Sequence, residues 1–238
     1  MLIAAISDVH YPRFSELFHS ALKNANDKRP CFVILAGDII NRGDARQFPV
    51  VINLIRENFG KEIKILACFG NEEYEDVRDA LKKQGDVKFL EEEILIEKFH
   101  GKTIAFIGSQ GVIDSPTPWQ KRHIPNIKEI YEKRIKQLKK LILQAKEKAD
   151  ITVVFSHYAP SYKTLKGEEK SKYPFLGSVK MEKVIAETQP DIAIHGHAHH
   201  GSVYAEIGKT RIYNVALPLR KAFTFISLEE KIGLERFW

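Results

Sequence analysis

A chain of 238 residues, 44% hydrophobic and 29% charged, is long enough to bury a sizeable core and too apolar to stay disordered. It has no apolar run of bilayer-spanning length, and its first residues lead straight into Asp8 without a basic leader, which argues against a membrane protein or a signal peptide. The net charge of +6 would suit an anionic partner, but basic residues are interleaved with Glu, as in Glu129-Ile130-Tyr131-Glu132-Lys133-Arg134, so a solvated surface is favoured over a nucleic-acid stripe.

The first half alternates strand and helix patterns. A strand at 2–6 precedes an amphipathic segment at 14–26, a strand at 32–36 precedes a helix near 45–58, and a strand at 63–68 precedes a helix near 74–83. Such alternation predicts βαβ units and parallel pairing. Short strand patterns at 94–98 and 103–107, around His100-Gly101, predict a hairpin that makes the sheet mixed. Residues 109–119 form a Gly, Ser and Pro-rich loop that ends at Trp119. A long helix starts near Asn126, where Ile127, Tyr131, Ile135, Leu138, Ile142 and Ala145 step by four and three and define one buried face. A strand at 151–155 is followed by a connection over 159–178, long enough to be functional in a compact domain. A helix near 179–188 leads to a strand at 191–195. The remainder reads as antiparallel strands at 202–207, 210–215, 222–228 and 231–237, with turns at Gly208-Lys209 and Glu229-Glu230. No repeat or linker interrupts the pattern, so one α/β domain over 1–238 is expected. Cys31 and Cys68 read as free thiols in or beside core strands, which fits a cytoplasmic protein.

Five of the predicted strands end in residues that can bind metal: Ser7-Asp8-Val9-His10, Gly37-Asp38, Gly70-Asn71-Glu72-Glu73, Ser156-His157-Tyr158 and Gly196-His197-Ala198-His199. Each fragment alone is an ordinary turn. Together they place Asp8, His10, Asp38, Asn71, His157, His197 and His199 at strand ends, where sites gather in open α/β sheets. Seven oxygen and nitrogen donors are too many for one closed tetrahedral site. They suit two metal ions that share a bridging carboxylate.

In this order the segments resemble the calcineurin-like metallophosphoesterase superfamily, in its small archaeal-type form, whose pattern runs D-x-H, G-D, G-N-H-[DE], H and G-H-x-H. The resemblance implies a two-layer mixed β-sandwich flanked by helices, α-β-β-α. It implies a phosphoric ester hydrolase acting on phosphodiesters or small phosphomonoesters through a hydroxide that bridges two metal ions. One ion would take Asp8, His10, Asp38 and His199, the other Asp38, Asn71, His157 and His197, with Asp38 as the bridge. Carboxylate and imidazole donors suit manganese, with iron, zinc, nickel and cobalt as alternatives, better than calcium. The partner would be a small phosphorylated substrate, with nucleic acid less favoured. Asp38, Asn71, Glu72 and Arg42 form the expected catalytic set.

The stretch Gly37-Asp38-Ile39-Ile40-Asn41-Arg42-Gly43 is also similar to the G-D-x-V-D-R-G of the protein phosphatase branch. By that match Arg42 contacts phosphate; the alternative is a surface turn residue. Where the pattern has His after Gly-Asn, this chain has Glu72, and where the phosphatase branch has the Asp of D-R-G it has Asn41. The two substitutions together suggest a shared pocket in which the Asn41 amide donates to an ionised, structural Glu72. Rival readings are a nuclease, or a catalytically weak metal-binding or interaction protein. Of the other histidines, His195 is expected to be buried behind the ligands. His19, His100, His123 and His200 are expected in loops or on the surface, His123 within reach of substrate.

Overall fold

The structure is a computed structural model and describes residues 1–84 and 86–228. The strand expected at 231–237 and the turn at Glu229-Glu230 lie outside them. Through the first half, β1 (Leu2–Ile6), α1 (Ser15–Lys23), β2 (Phe32–Ala36), α2 (Phe48–Phe59), β3 (Lys64–Cys68), α3 (Glu75–Lys82) and β4 (Val87–Phe89) alternate as expected. The strands β1 to β4 pair in parallel. At three residues, β4 is too short to leave a period of its own in the sequence.

The hairpin of β5 (Glu93–Phe99) and β6 (Lys102–Ser109) does not extend that sheet but opens a second one. After α4 (Pro118–His123) and α5 (Ile127–Lys148), β7 (Ile151–Ser156) adds in parallel to β6. Then follow α6 (Tyr173–Leu176), α7 (Val179–Thr188), β8 (Ile192–His195), β9 (Tyr204–Ile207), β10 (Thr210–Asn214), α8 (Leu217–Arg220) and β11 (Thr224–Ser227). The sheets run β11-β1-β2-β3-β4 and β5-β6-β7-β8-β10-β9. The first pair of the expected C-terminal run is antiparallel, β9 with β10, and β10 also lies parallel to β8. The run is corrected at β11, which crosses to the first sheet, antiparallel to β1.

The two-layer arrangement follows from the strand sequences. Phe32–Ala36 is buried at every position, so both faces of β2 need an apolar cover. Alternate residues turn to opposite faces. Ile3, Ala5, Phe32, Ile34 and Leu66 meet Ile104, Phe106, Val153, Phe155 and Ile194 of the other sheet. Ala4, Ile6, Val33, Leu35 and Ile65 face Phe18 and Leu22 of α1 and Ile52 and Ile55 of α2. On the far side, Ala105, Ile107, Val154 and Ala193 face Leu138 and Ile142 of α5 and Val184 and Ile185 of α7. Three apolar layers stack as helix, sheet, sheet, helix. Phe32 and Phe106 meet across the middle layer at a ring-centroid distance of 4.9 Å.

Local signals set the helix starts. Ser178 accepts the N–H groups of Lys180 and Met181 at the start of α7, and Thr117 and Gln120 form a reciprocal capping box on α4. The 159–178 connection is built of short turns rather than open loop, with 3-10 turns at Tyr162–Leu165 and Lys170–Lys172 before α6. Among the described residues, no helix is long and apolar enough to cross a membrane.

The middle layer is the costliest place to open a cavity. Phe106→Ala should lower unfolding free energy by about 3–5 kcal/mol. Leu143→Ala, at an exposed position on α5, should change it by less than about 0.5 kcal/mol. Urea unfolding measures both.

Candidate metal centre

The carboxyl ends of β1, β2, β3, β7 and β8 converge, and each delivers its polar residues into the same space. Asp8, Asp38 and His157 are fully or almost fully buried there, with His10 6% exposed. The ligand atoms of Asp8, Asp38, His157 and His197 all lie within 4.8 Å of one another, as do those of Asp8, His10 and His199. Asp8 belongs to both groups, yet its ion-pair contacts are with His10 (3.8 Å) and His199 (2.9 Å). Asp38 reaches further across. Its Oδ2 lies 3.7 Å from His10 Nε2 and 3.4 Å from His157 Nε2. Asn71 joins through Oδ1, 3.1 Å from His157 Nε2.

Close approach to the two carboxylates needs residues without a side chain at two positions. A Cβ on Gly70 would collide with Asp38 Oδ1, and one on Gly196 would collide with Ser7 Oγ and Asp8 Oδ2. The backbone is bent hard around them. Asp8, His10, Asp38, Arg42 and His197 all sit at positive φ, between 44° and 68°. The left-handed region costs about 1–2 kcal/mol for an L-residue, and hydrogen bonds over-determine it here. His10 N–H donates to the Asp38 carbonyl and Asp8 N–H to the Gly37 carbonyl. His197 N–H and Ser7 Oγ both donate to Asp8 Oδ2.

The outer nitrogens of two histidines identify the inner ones. His157 Nδ1 lies 3.1 Å from the Ala36 carbonyl, an acceptor, so it carries a proton and Nε2 is the atom aimed inward. His197 Nε2 lies 3.4 Å from the Phe175 carbonyl, which leaves Nδ1 inward, 3.1 Å from His157 Nε2. Two imidazole lone pairs, the Asn71 amide oxygen and a carboxylate therefore face one another. Such an all-acceptor cluster needs a cation at its centre, and a proton on His157 Nε2 is the minimal one. Burial works against that proton, but the Asp38 and Asp8 charges prevail and raise the His157 pKa to about 9. Burial and then the His157 charge push His197 down to about 4. Burial alone would raise Asp8, yet the His199 hydrogen bond and the His157 charge hold its carboxyl well below its usual value. The donor set of carboxylate, imidazole and amide oxygen fits a divalent metal ion in the proton's place.

The structure brings Asp8, His10, Asp38, Asn71, His157, His197 and His199 together. Arg42 stands apart, exposed in the turn after Asp38, and among the described residues its guanidinium has no hydrogen-bond or ion-pair partner. Glu72 does share a pocket with the 41–43 turn, but the expected bond from the Asn41 amide is replaced. Glu72 Oε2 accepts the backbone N–H of Arg42 at 2.6 Å, and its carbonyl accepts that of Gly43. A backbone N–H fills the place expected for the Asn41 amide, so no side-chain donor is required. His123 is exposed and stacks on Trp119 rather than joining the cluster.

Sequence reasoning passes over Glu73. It is 2% exposed, and its carboxylate accepts the N–H groups of Asp38, Ile39, Ile40 and Gly70 at 2.7–3.2 Å. It latches the end of β2 to the end of β3. Burial and then the Asp38 charge raise its pKa to about 7. Two signals mark it in the sequence: it fills the [DE] position of the G-N-H-[DE] pattern, and it ends a pair of acidic residues directly after a strand-ending Gly-Asn.

The family model described as calcineurin-like phosphoesterase matches residues 1–201. No curated protein matches the chain. Among solved structures, a phosphopantetheinyl hydrolase from Mycobacterium tuberculosis is similar with a TM-score of 0.65 and 15% identity, over 92% of this chain and 90% of that one. The protein TT1561 of Thermus thermophilus gives 0.60 and 15% identity, over 96% of this chain and 99% of the other. A putative 5'-nucleotidase from Staphylococcus aureus gives 0.57 and 16% identity, over 90% of this chain and 48% of that longer one. At these identities the likeness is one of fold.

The raised His157 pKa fixes a pH trend for the metal-free protein. The native state keeps a proton that the unfolded chain releases near its ordinary value of 6.5, so stability falls as pH rises toward about 9. Glu73 acts in the same direction up to about 7. Urea unfolding in chelator should show a loss of about 2 kcal/mol from pH 7 to 9. A saturating divalent ion should remove that decline, because it takes the proton's place.

Proposed function

The chain belongs to the calcineurin-like phosphoesterase family, a family of metal-dependent phosphoesterases, and from this premise we propose that it hydrolyses phosphodiesters or small phosphomonoesters with two divalent ions. The observation that carries the two-ion reading is one oxygen atom. Asp38 Oδ2 faces His10 on one side and His157 on the other, at 3.7 and 3.4 Å. Asp8 and His199 complete the first side, and Asn71 and His197 the second. Manganese is the first choice of metal for these donors, with iron, zinc, nickel and cobalt as alternatives. When bound, such ions supply Lewis acidity to phosphoryl oxygens and a water activated at neutral pH. Two neighbours in fold are named as a phosphopantetheinyl hydrolase and a putative 5'-nucleotidase, which supports phosphoric ester hydrolysis without selecting a substrate. A cytoplasmic setting belongs to the same proposal and rests on the free thiols of Cys31 and Cys68.

The chain's own residues divide the remaining work. Asp8, Asp38 and the histidines hold the ions. Asn71 presents its amide oxygen at the mouth of the site, where it is exposed to substrate. Arg42, exposed at the adjacent rim with a guanidinium unpaired among the described residues, would meet phosphoryl oxygens. Glu72 has its carboxylate engaged by the Arg42 N–H and donates its own N–H to Asp38 Oδ1 at 2.7 Å. This supports a structural part: it fixes both the Arg42 turn and the shared carboxylate.

Manganese-loaded protein should contain two ions per chain and hydrolyse bis-nitrophenyl phosphate, and chelation should abolish turnover. Asp38→Asn should weaken both ions, His10→Ala mainly the one beside Asp8, and His157→Ala mainly the other. Elemental analysis that finds a single tight ion, unchanged in Asp38→Asn, defeats the shared-carboxylate reading.

Glu72→Gln keeps an acceptor for the Arg42 N–H and should retain activity within about tenfold on good leaving groups. A loss of about a thousandfold, with one limb of the pH–rate profile gone, is the signature of a general acid and would assign Glu72 to catalysis.

A further inference from the structure

The turn that carries His197 and His199 is held at both feet by one buried residue of the 159–178 connection. Thr164 is fully buried. Its Oγ1 lies 2.8 Å from His195 Nε2, just before the turn, and its carbonyl accepts the Ser202 N–H at 2.9 Å, just after it. Gly201 passes so close that a Cβ there would collide with the same carbonyl. Neighbouring residues add to the grip. Glu168 Oε1 accepts the His200 N–H at 2.7 Å, and the Lys166 carbonyl accepts the Ser202 hydroxyl at 2.9 Å.

The direction of the Thr164 bond follows from the other side of the His195 ring. His195 Nδ1 lies 2.7 Å from the Gly196 carbonyl, an acceptor, so Nδ1 carries the proton and Nε2 is a lone pair. The Thr164 hydroxyl, 2.8 Å from Nε2 and at the longer distance of 3.4 Å from the Ser161 carbonyl, is therefore the donor to Nε2. The Gly196 carbonyl also accepts the Ala198 N–H at 2.8 Å. The chain of bonds runs from the Thr164 hydroxyl through the His195 ring to the Gly196 carbonyl. It fixes the peptide plane from which His197 projects at φ 68°.

We propose that Thr164 is a positioning residue of the metal centre: through the His195 ring and the Gly196 carbonyl it sets the direction in which His197 and His199 are presented. This rests on the reading of the site as a metal centre. It gives the long connection after β7 a definite task, a clamp on the histidine turn, and it separates the outer partners from the ligands they orient.

The test compares Thr164→Val, isosteric but without a donor, with Thr164→Ser, which keeps the hydroxyl. Manganese affinity is measured by chelator competition, and melting temperature with and without manganese. Thr164→Val should bind manganese at least tenfold more weakly and show a smaller metal-induced rise in melting temperature, while Thr164→Ser stays within about twofold of wild type. Thr164→Val with wild-type affinity, or with an equal loss of stability in both conditions, would mean that Thr164 only packs, and overturns the proposal. If Thr164→Val does not fold, Thr164→Ala removes the same donor without bulk at the branch. Independently of any variant, nitrogen NMR of wild-type protein should find His195 protonated at Nδ1; protonation at Nε2 overturns the bond direction and the proposal with it. Wild-type protein that takes up no metal would overturn the metal-centre reading itself, which a failure confined to Thr164→Val leaves standing.

Discussion

Two carboxylates buried close together, Asp8 and Asp38, are the constraint around which the rest of the molecule is organised. Unpaired charge in a low-dielectric interior is prohibitive, so each oxygen must be answered. Main-chain N–H groups and small polar side chains answer the outer ones. Ser7 Oγ and the His197 N–H take Asp8 Oδ2, and the Glu72 N–H takes Asp38 Oδ1. The inner oxygens are left for imidazoles and for a cation. Much local detail follows, from glycines where a Cβ would strike a carboxylate to a backbone bent into the left-handed region at five positions around the site.

The same logic explains why a third buried acid, Glu73, sits beside them. Among the described residues it makes no hydrogen bond to an imidazole, yet it gathers four backbone N–H groups from two strand ends. Those donors point away from any ladder, and without an acceptor they would be orphaned in the interior. Glu73 thus converts the frayed ends of two parallel strands into a rigid support for Asp38. Rigid support is what a site of this kind demands, since ligands held loosely lose affinity and selectivity together.

The sequence makes the site legible because its chemistry is concentrated in side chains at strand ends, where period and residue type can be read together. Asp8, His10, Asp38, Asn71, His157, His197 and His199 are all visible this way. The face of α5 is equally legible, because Ile127, Tyr131, Leu138, Ile142 and Ala145 step regularly. What escapes is set by backbone and by distant pairing. β4 has three residues and no period. The crossing of β11 to the first sheet depends on which edge is open, and no local pattern encodes that. The partner of Glu72 is the backbone N–H of Arg42, so a side-chain argument selects Asn41 instead. Thr164 is one more buried threonine until the turn it holds is in view.

The crossing of β11 has a counterpart in the order of assembly. Asp8 bonds His199 across 191 residues of sequence, and Ser7 is fixed between the Val215 carbonyl and the Leu217 N–H. Each group of clustered ligands takes members from β1 and from the histidine turn after β8. No fragment that stops short of that turn contains either group whole. During synthesis the first βαβ units can pack long before either group of donors is complete, so an ion held by these residues would be captured only in the last stage of folding, and the earlier stages proceed with both carboxylates still awaiting their partners.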